Sequence, residues 1–435
     1  MNIVKPSTIA GVMELLPEDQ LVFDKFKNTI EEKFKKYAFL PIETPVIEKD
    51  EVLFAKGGGE TEKQIFRIDS ESKNMSLRFD LTVPLARYVS EHFSNLNFPF
   101  KRYQIAKVYR GERNQKGRYK EFYQCDIDII GNDKLSIYND AQLPLVIYEI
   151  FKELDFDGVK FHINNRKVLN GFLNSLDITN TEEVLRIIDK IQKIGYDKTK
   201  SLLMELSLEE DICDEILQFI SNKKSNKEII EELKSKDLND LYKEGLSELE
   251  KVYNYMIEFK IPDNNIKIDL SITRGLDYYT STVYETFLEG YEEIGSVCSG
   301  GRYDNLASNF SKQKLPGVGM SIGLTRLFYQ FQNIGIVDKF RENYLDVLLI
   351  PMKEEYNFYL IELLNKLRDK EIKSDIYLED SKMKKKFNYA DKINAKYVII
   401  VGDDEFNLKK YSLRDMKTGS QETLELEELV EKLTK

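Results

Sequence analysis

Residues 109–131 constrain the fold more than any other part of the chain, because a dense run of charged residues there separates two apolar, β-prone runs. Such a pattern predicts a strand, a basic loop around residues 114–117 and a returning strand. Guanidinium groups bind phosphate oxygens in bidentate fashion, so a hairpin of this kind suits a polyphosphate. The alternative is a solvated hairpin that is held together by salt bridges.

Composition limits the kind of protein that this hairpin can belong to. A chain of 435 residues predicts two or three domains. The net charge of −11 means that a nucleic-acid partner would have to be met by local basic patches. Three scattered cysteines and two histidines argue against a disulfide framework and against a protein-bound metal cluster. With no visible signal peptide and no apolar run of membrane-spanning length, the sequence predicts a cytoplasmic protein.

The pattern of predicted elements changes along the chain. A helix over residues 17–37 precedes a proline-containing extended segment over residues 39–47. This segment is typical of an edge strand that a second subunit could cover, and a plain helix–strand connection is the alternative. Residues 168–262 are rich in Lys, Glu, Leu and Ile and predict a helical module inserted into a β-rich domain. Alternating strands and helices over residues 344–435 predict a separate α/β domain.

Two polar clusters offer groups for chemistry. Asp80 and Thr82 lie two residues apart on a segment predicted to be extended, so both side chains face one side of the sheet. A carboxylate and a hydroxyl there could bind an ammonium group, while a helix N-cap formed by Thr82 is the alternative. Residues 274–279 place an arginine, an aspartate and paired tyrosines around a glycine, although a packed turn would explain this pattern too.

A third cluster combines glycines with arginines. Gly300 and Gly301 precede Arg302, and the glycines of residues 317–323 precede Arg326. Glycines that let the backbone approach a ligand, followed by an arginine, suit a triphosphate. Close packing of helix and sheet is the alternative for the glycines, and it does not explain Arg326.

Together these segments resemble the class II aminoacyl-tRNA synthetases, and among them the histidyl-tRNA synthetase family, along nearly the whole chain. Residues 23–45 resemble the first motif of the class, residues 109–122 the second and residues 317–326 the third. Two signatures of the histidine-specific family lie at residues 274–279 and 299–304. All five segments occur in the family's order.

The resemblance implies an α+β fold with a mixed, mainly antiparallel sheet flanked by helices, assembled as a homodimer. A catalytic domain would comprise residues 1–167 and 263–335, interrupted by a helical insertion at residues 168–262. Residues 344–435 would form an α/β anticodon-binding domain. The basic run at residues 382–386 lies in it, although a solvated helix face explains that run as well.

The resemblance also assigns contacts with ATP. Arg110 would contact the α-phosphate, Glu112 the exocyclic amine of adenine, and Phe122 the face of the base. Arg118 and Arg326 would hold the β- and γ-phosphates. ATP is thus implied as a substrate, with Mg²⁺ as the metal that accompanies it.

Further residues are implied as ligands of histidine. The α-amino group would be bound by Asp80, Thr82 and Gln124. Asp128 and Tyr279 would contact the two imidazole nitrogens, since a neutral imidazole needs one acceptor and one donor. Many bacterial members of the family carry glutamate in place of Asp80 and Asp128, and the shorter side chain displaces the imidazole contact by about one methylene. The full implied set is Asp80, Thr82, Gln124, Asp128, Arg274, Tyr278 and Tyr279.

The implied reaction has two steps. The carboxylate of L-histidine attacks the α-phosphate of ATP and releases pyrophosphate, and the histidyl group then passes to the 3′ end of tRNA(His). Neither step needs a protein nucleophile, so positioning and charge stabilisation by Arg110, Arg274 and Mg²⁺ would carry the reaction.

Two other functions are open to a chain with these motifs. A regulatory subunit of ATP phosphoribosyltransferase has a synthetase-like fold, but such paralogues usually lack the C-terminal domain and lose the arginines that this chain keeps. A synthetase for another amino acid is the second, and the signatures at residues 274–279 and 299–304 argue against it. Without the resemblance, the residues support an ATP-binding, multidomain α/β protein.

Overall fold

The computed structural model describes residues 3–55, 62–69, 74–111, 117–221, 224–273 and 279–434. The chain divides into two compact units, Met1–Lys339 and Phe340–Lys435. In the described ranges no helix is both long and apolar enough to cross a membrane. The predicted site residues that lie outside these ranges are Glu112, Arg274 and Tyr278.

Helices and strands alternate along much of the described chain. The helices are α1 (Pro17–Lys36), α2 (Asp50–Leu53), α3 (Thr82–Glu91), α4 (Tyr138–Glu153), α5 (Arg166–Ser175), α6 (Thr181–Ile188), α7 (Ile191–Ile194), α8 (Tyr196–Met204), α9 (Glu210–Ile220), α10 (Asn226–Ser235), α11 (Asp240–Glu258), α12 (Leu324–Asn333), α13 (Asn357–Arg368), α14 (Met383–Lys392), α15 (Asp403–Leu408) and α16 (Leu426–Thr434). The strands are β1 (Leu40–Pro41), β2 (Ile47–Lys49), β3 (Arg67–Ile68), β4 (Met75–Leu77), β5 (Phe100–Tyr109), β6 (Glu121–Ile130), β7 (Val159–Asn165), β8 (Ile266–Ile268), β9 (Thr282–Leu288), β10 (Cys298–Tyr303), β11 (Gly317–Ile322), β12 (Val347–Pro351), β13 (Ser374–Ile376), β14 (Tyr397–Val401), β15 (Tyr411–Asp415) and β16 (Gln421–Leu424). Short 3-10 helices lie at Glu62–Gln64, Phe93–Asn95, Asp263–Asn265, Glu292–Ile294, Leu306–Asn309, Ile336–Phe340 and Glu354–Tyr356.

An eight-stranded sheet forms the centre of the first unit. Its strands follow the order β1-β5-β6-β11-β10-β9-β7-β8. Neighbours pair in antiparallel fashion except the outer pairs β1–β5 and β7–β8, which are parallel. The predicted hairpin is β5 and β6, with Tyr109 opposite Glu121 at the end where the connecting loop joins the strands. This mixed, mainly antiparallel sheet with flanking helices confirms the predicted α+β fold.

Helix α1 packs against the central sheet through one apolar stripe. Its buried side chains recur at the three- and four-residue spacing of a helix face and are Val22, Phe23, Phe26, Ile30 and Phe34. The ring of Phe23 lies 5.3 Å from that of Phe328 on α12, measured between ring centroids. Helix α12 is thereby fixed behind strands β6 and β11, and its first turn faces the site described below.

The proline-containing segment after α1 supplies two short strands instead of one. Leu40–Pro41 pairs in parallel with β5 at the edge of the large sheet, as its prolines predict. Ile47–Lys49 pairs with β4 in a separate three-stranded sheet of order β2-β4-β3. Leu40, Val46 and Ile47 remain exposed, which leaves an apolar edge on this unit.

Helices α5 to α11 fill the chain between β7 and β8, two strands that lie side by side in the large sheet. Asn180 precedes α6, but its side chain makes no capping hydrogen bond with that helix. A capping box forms instead at α10, where Ser225 and Glu228 satisfy each other's backbone N–H groups.

The second unit is a five-stranded sheet of order β13-β12-β14-β15-β16. Strands β12, β13 and β14 are parallel, as expected for strands that helices connect, and β15 and β16 are antiparallel additions. Apolar cores lie on both faces of this sheet, one beneath α13 and α16 and one beneath α14.

Candidate active site

Strand β6 carries a row of polar side chains on one face of the large sheet. Gln124, Asp126 and Asp128 alternate along the strand and therefore point to the same face. Across the ladders, Ser321 of β11 lies opposite Asp126, and Arg102 of β5 lies opposite Asp128. Side chains that lie directly opposite each other share a face, so this part of the sheet is polar although it is buried.

A cleft of about 260 Å³ opens at the end of this polar row. Four residues predicted to bind ATP line it together: Arg110, Arg118, Phe122 and Arg326. Gln124, predicted to bind histidine, lies at its floor beside Ser321. Residues from the hairpin and from the strand–helix segment of β11 and α12, which are remote in sequence, thus meet in one cleft.

Backbone carbonyls contact two of the arginines that line this cleft, Arg110 and Arg326. The Nε of Arg110 donates to the backbone oxygen of Phe79 at 3.0 Å, and its guanidinium carbon lies 5.2 Å from the centroid of the Phe122 ring. The Nη2 of Arg326 donates to the backbone oxygen of Ile294 at 2.7 Å. A backbone carbonyl orients a guanidinium without neutralising its charge.

Asp80 lies between this cleft and helix α3. Its Oδ1 accepts a hydrogen bond of 3.0 Å from the backbone N–H of Val83. Thr82 is the first residue of α3, and its side chain does not cap that helix, so the capping alternative for Thr82 is wrong. The Oδ2 of Asp80 is buried and has no hydrogen-bond partner in the described part of the chain. Burial raises the pKa of Asp80 to about 6.

Asp128 is held by two buried side chains. Its Oδ2 lies 2.6 Å from Nη2 of Arg102, and its Oδ1 accepts a hydrogen bond of 2.7 Å from the hydroxyl of Tyr303. Burial raises the pKa of Asp128, and the charge of Arg102 opposes that rise. Gly319, directly across the ladder, leaves room for this carboxylate, since a Cβ there would lie 2.0 Å from Oδ1. The predicted contact of Asp128 with imidazole stays a prediction.

The structure adds a residue that the sequence analysis did not select. Asp126 is only 3% exposed, and within the described ranges its Oδ1 has no hydrogen-bond partner. Burial raises its pKa to about 7. The signal that could have identified it is its position between Gln124 and Asp128, because alternate residues of one strand share a face.

Several buried polar atoms along this face lack partners among the described residues. They are Asp80 Oδ2, Gln124 Oε1, Asp126 Oδ1, and Nε and Nη1 of Arg102. The amide nitrogen of Gln124 donates to Ser321 at 2.9 Å, which orients its oxygen. Buried polar atoms are normally paired, so the three unpaired oxygens in this set indicate a place for a ligand that carries donors.

Arg302 does not belong to the cleft, contrary to its grouping with the phosphate-binding candidates. It forms a buried ion pair with Asp140 of α4, with 2.5 Å between Nη2 and Oδ2, and it also donates to the backbone oxygens of Leu135 and Ser136. The neighbouring glycines serve packing: a Cβ on Gly301 would lie 2.9 Å from the ring of Tyr279, and one on Gly317 2.3 Å from that of Tyr303. Both glycines thus allow close contact within the sheet and with the segment before β9, which differs from the helix–sheet packing of the alternative.

Comparisons with known proteins agree with this geometry. The family model described as histidyl-tRNA synthetase matches residues 11–327, and one described as anticodon binding domain matches residues 346–435. The chain is 58% identical to the histidine–tRNA ligase of Clostridium tetani over 99% of this chain and 98% of the relative, and 57% identical to that of Finegoldia magna over 99% and 100%. The crystal structure of histidyl-tRNA synthetase from Nostoc sp. PCC 7120 superposes with a TM-score of 0.89 at 37% identity, covering 99% of both chains. Similarity of this extent, in sequence and in fold, shows that the chain belongs to the histidyl-tRNA synthetase family.

Proposed function

We propose that this chain is a histidine–tRNA ligase: it activates L-histidine with ATP to histidyl-adenylate and pyrophosphate, and then transfers histidine to the 3′ end of tRNA(His). The observation that carries this proposal is the joint cleft. Arg110, Arg118 and Arg326 supply positive charge and Phe122 an aromatic face, next to the unpaired buried acceptors of Asp80 and Gln124. A nucleotide and an amino acid would then meet where the two groups of residues meet.

The chain's own side chains would act by position and charge. The backbone oxygen of Phe79 orients the Arg110 guanidinium. This guanidinium would contact the α-phosphate as negative charge develops on the phosphate. Phe122 is supported by Leu81, Ala106 and Val108, so its ring is a preformed surface for the adenine base. Arg118 and Arg326 would hold the β- and γ-phosphates in the direction in which pyrophosphate leaves. Holding both reactants in line supplies much of the rate acceleration in such transfers.

The amino acid would lie along the polar row of β6. Asp80, Thr82 and Gln124 would surround its ammonium group, which supplies the donors that the unpaired oxygens lack. Tyr279 packs beside Gly301 and would face the imidazole. Asp128, which Arg102 and Tyr303 hold in place, would contact an imidazole nitrogen, as the family resemblance implies.

Three residues outside the described ranges complete the proposed site. Glu112 would accept from the adenine amine. Arg274 would lie beside the α-phosphate and Tyr278 near the histidine ring. For these residues the proposal rests on the family signatures alone.

Mg²⁺ is part of the proposal as a partner of ATP. The described residues contain no group of three or more His, Cys, Asp or Glu side chains that could hold a metal ion. The described side chains that line the cleft supply arginines and no carboxylate. A magnesium ion would therefore be carried mainly by the phosphate oxygens, where it would neutralise their charge.

We further propose that different segments of the chain form domains with different functions. Residues 1–167 and 263–335 would form the catalytic domain, residues 168–262 its helical insertion, and residues 344–435 the anticodon-binding domain. The anticodon assignment is supported by the family model that matches residues 346–435. The cytoplasm is the proposed location, since the tRNA substrate is found there.

A homodimer is proposed from the exposed apolar edge of the first unit. Leu40, Val46 and Ile47 are exposed beside the edge strand β1, and a second subunit would bury them. Sedimentation of the wild type should give twice the mass of one chain. A Leu40→Asp, Ile47→Asp double variant should sediment as a monomer, and a wild type that is monomeric at micromolar concentration would contradict the proposal.

The first experiment is amino-acid-dependent exchange between ATP and pyrophosphate, with Mg²⁺, across all twenty amino acids and without tRNA. Exchange with histidine alone is the expected result. Exchange with a different amino acid would assign the chain to another specificity. Folded protein that binds histidine but shows no exchange would favour the regulatory function.

A further inference from the structure

Strand β11 covers only part of the second strand of the hairpin. Its pairing with β6 begins at Cys125, so backbone N–H groups nearer the connecting loop need other acceptors. The hydroxyl of Thr325 accepts from the N–H of Tyr123 at 2.8 Å. The carbonyl of Gly11 accepts from the N–H of Lys120 at 2.6 Å. The segment that precedes α1 thus supplies an acceptor at the end of the hairpin.

A tight turn orients the Gly11 carbonyl. The N–H of Val12 donates to the backbone oxygen of Ile9 at 3.3 Å, which closes a four-residue β-turn. Gly11 is the third residue of this turn and has a φ of 87°. A positive φ at the third position is characteristic of a type II turn, and glycine or asparagine adopts it with little strain. The identity of residue 11 therefore helps to fix the direction of the carbonyl that meets Lys120.

The contact with Gly11 reaches the cleft through Lys120. The N–H of Lys120 donates to Gly11, and the carbonyl of Lys120 accepts from the N–H of Arg110 at 2.8 Å. Arg110 lines the cleft, and so does Arg118, two residues before Lys120. The turn at Gly11 is thus tied by two successive hydrogen bonds to the part of the hairpin that carries these arginines.

Between this turn and α1, an open space lies beside the hairpin. Met13–Leu16 line a cavity of about 570 Å³ together with Lys107, Glu121 and Tyr123 of the two strands. Packing across an open space is weak, because dispersion attraction falls steeply with distance. We therefore attribute the hold of this segment on the hairpin to the hydrogen bond at Gly11 rather than to side-chain packing.

We propose that Gly11 is a positioning residue for ATP. Its carbonyl fixes Lys120, and Lys120 in turn fixes the backbone from which the Arg110 side chain extends toward the phosphates. Arg118, which is close to Lys120 in the chain, is held in the same way. This inference rests on the proposed function, because it takes ATP as the ligand of these arginines.

The amino-acid side of the site does not depend on the turn. The Asp80 carboxylate accepts from the N–H of Val83, and the Gln124 amide donates to Ser321, so both are oriented by groups outside the turn. Loss of the turn should therefore weaken the binding of ATP and leave the binding of histidine near its wild-type value. A role in stability alone would not separate the two ligands.

Calorimetric titrations of ATP with Mg²⁺, and separately of L-histidine, test this separation. Gly11→Val places a β-branched side chain at a φ of 87°, which such residues rarely adopt, so the turn should open. The Kd of this variant for ATP should rise about three- to tenfold, as expected for one lost hydrogen bond, and the Kd for histidine should stay within about twofold. Gly11→Asn should keep the wild-type Kd for ATP, since asparagine tolerates a positive φ.

Two deletions complete the test. Deletion of residues 3–8 removes exposed residues and is the matched control, whereas deletion of residues 3–12 removes the turn even if Gly11→Val does not fold. The shorter deletion should bind ATP like the wild type, and the longer one like Gly11→Val. A wild-type Kd for ATP in Gly11→Val or in the longer deletion overturns the inference, and so does an equal loss of affinity for both ligands.

These titrations do not require turnover. A wild type that binds both ligands without pyrophosphate exchange would contradict the proposed function, and the Kd values would still decide the role of Gly11.

Discussion

The arginines of the first unit fall into two groups according to what fixes the guanidinium. Arg110 and Arg326 contact backbone carbonyls and line the cleft. Arg102 and Arg302 are buried against the carboxylates of Asp128 and Asp140. The first group lines the cleft with guanidinium groups that backbone carbonyls orient, and the second is paired with buried acids, so substitutions in the two groups should have different consequences.

Replacement of a cleft arginine should damage catalysis much more than stability. Arg110→Ala removes a hydrogen bond to Phe79 and a contact with Phe122, at a cost of about 1 kcal/mol in the free energy of unfolding. The rate of pyrophosphate exchange should fall about 10²- to 10³-fold, as when a preorganised donor to a transition-state anion is lost. Urea unfolding and exchange assays measure the two effects. A wild-type rate in this variant would remove Arg110 from the chemistry.

Replacement of a buried arginine should damage stability much more than catalysis. Arg302→Ala leaves Asp140 as an unpaired buried charge and removes the donors to Leu135 and Ser136. The free energy of unfolding should fall by about 3–5 kcal/mol. The expected readout is a lower urea midpoint, and the double variant with Asp140→Asn should recover part of it. Equal stability of wild type and Arg302→Ala would contradict the assignment.

Burial of the site aspartates predicts a dependence of stability on pH. An aspartate whose folded pKa is raised stabilises the fold in its protonated form, and this contribution is lost as the pH rises through the folded pKa. For Asp126 that pKa is about 7 against an unfolded value of 3.8. The stability of Asp126→Asn relative to wild type should therefore increase from about pH 4 to about pH 7 and level off above. Urea unfolding at a series of pH values measures this difference, and a constant difference would contradict it.

At the level of single residues, sequence patterns located the cleft better than they located the buried acids. Arg110, Phe122 and Arg326 stand in recognisable motifs, and the structure places them together. Asp126 has no motif of its own. It is distinguished by its burial and by an unpaired oxygen, and both depend in part on strand β11, which is distant from it in sequence.

At the scale of elements, strand β11 depends on the absence of a side chain at Gly319. A Cβ on Gly319 would lie 2.0 Å from the Asp128 carboxylate. Gly319→Ala should therefore lower the free energy of unfolding by about 1–3 kcal/mol and weaken histidine binding, because Asp128 must move. Gly158→Ala is the control, since its nearest neighbour would lie at an ordinary 3.4 Å. Thermal unfolding and calorimetry measure both effects, and equal behaviour of the two variants would contradict the packing argument.

Element boundaries followed from the sequence where periodicity was strong. Helix α1 ends one residue before the predicted end, because its apolar stripe and first-turn proline are clear. Strand β11 was harder to find, since residues 317–323 read as glycines that lead into a helix, and glycine is a weak strand former. The ladders to β6 and β10 hold those glycines in a strand. Pairing with strands that are distant in sequence cannot be recognised from the residues of β11 alone.

At the scale of the whole molecule, the division into two units predicts that pyrophosphate exchange can be separated from tRNA charging. Residues 340–435 have apolar cores of their own on both faces of their sheet and should fold alone with a cooperative urea transition. Residues 1–339 contain the described cleft residues and should retain histidine-dependent pyrophosphate exchange. Charging of tRNA(His) by that fragment should fall at least about tenfold, as expected when a binding contribution above about 1.4 kcal/mol is lost.

Both fragments should be assayed at equal concentration with circular dichroism as the check on folding. Loss of exchange from a folded 1–339 fragment would show that the second unit contributes to activation. Full tRNA charging by it would contradict an anticodon-binding role for the second unit.

The ladder between β6 and β11 also has a consequence for synthesis on the ribosome. β6 ends at Ile130, but its partner strand does not begin until Gly317. While the intervening residues are being synthesised, one edge of β6 has no strand to pair with. The acidic side chains of β6 also lack the neighbours that β11 supplies. Open strand edges of this kind promote association between chains. We therefore expect ribosome-bound chains that stop short of β11 to bind chaperones strongly, and chains released after α12 to be free of them.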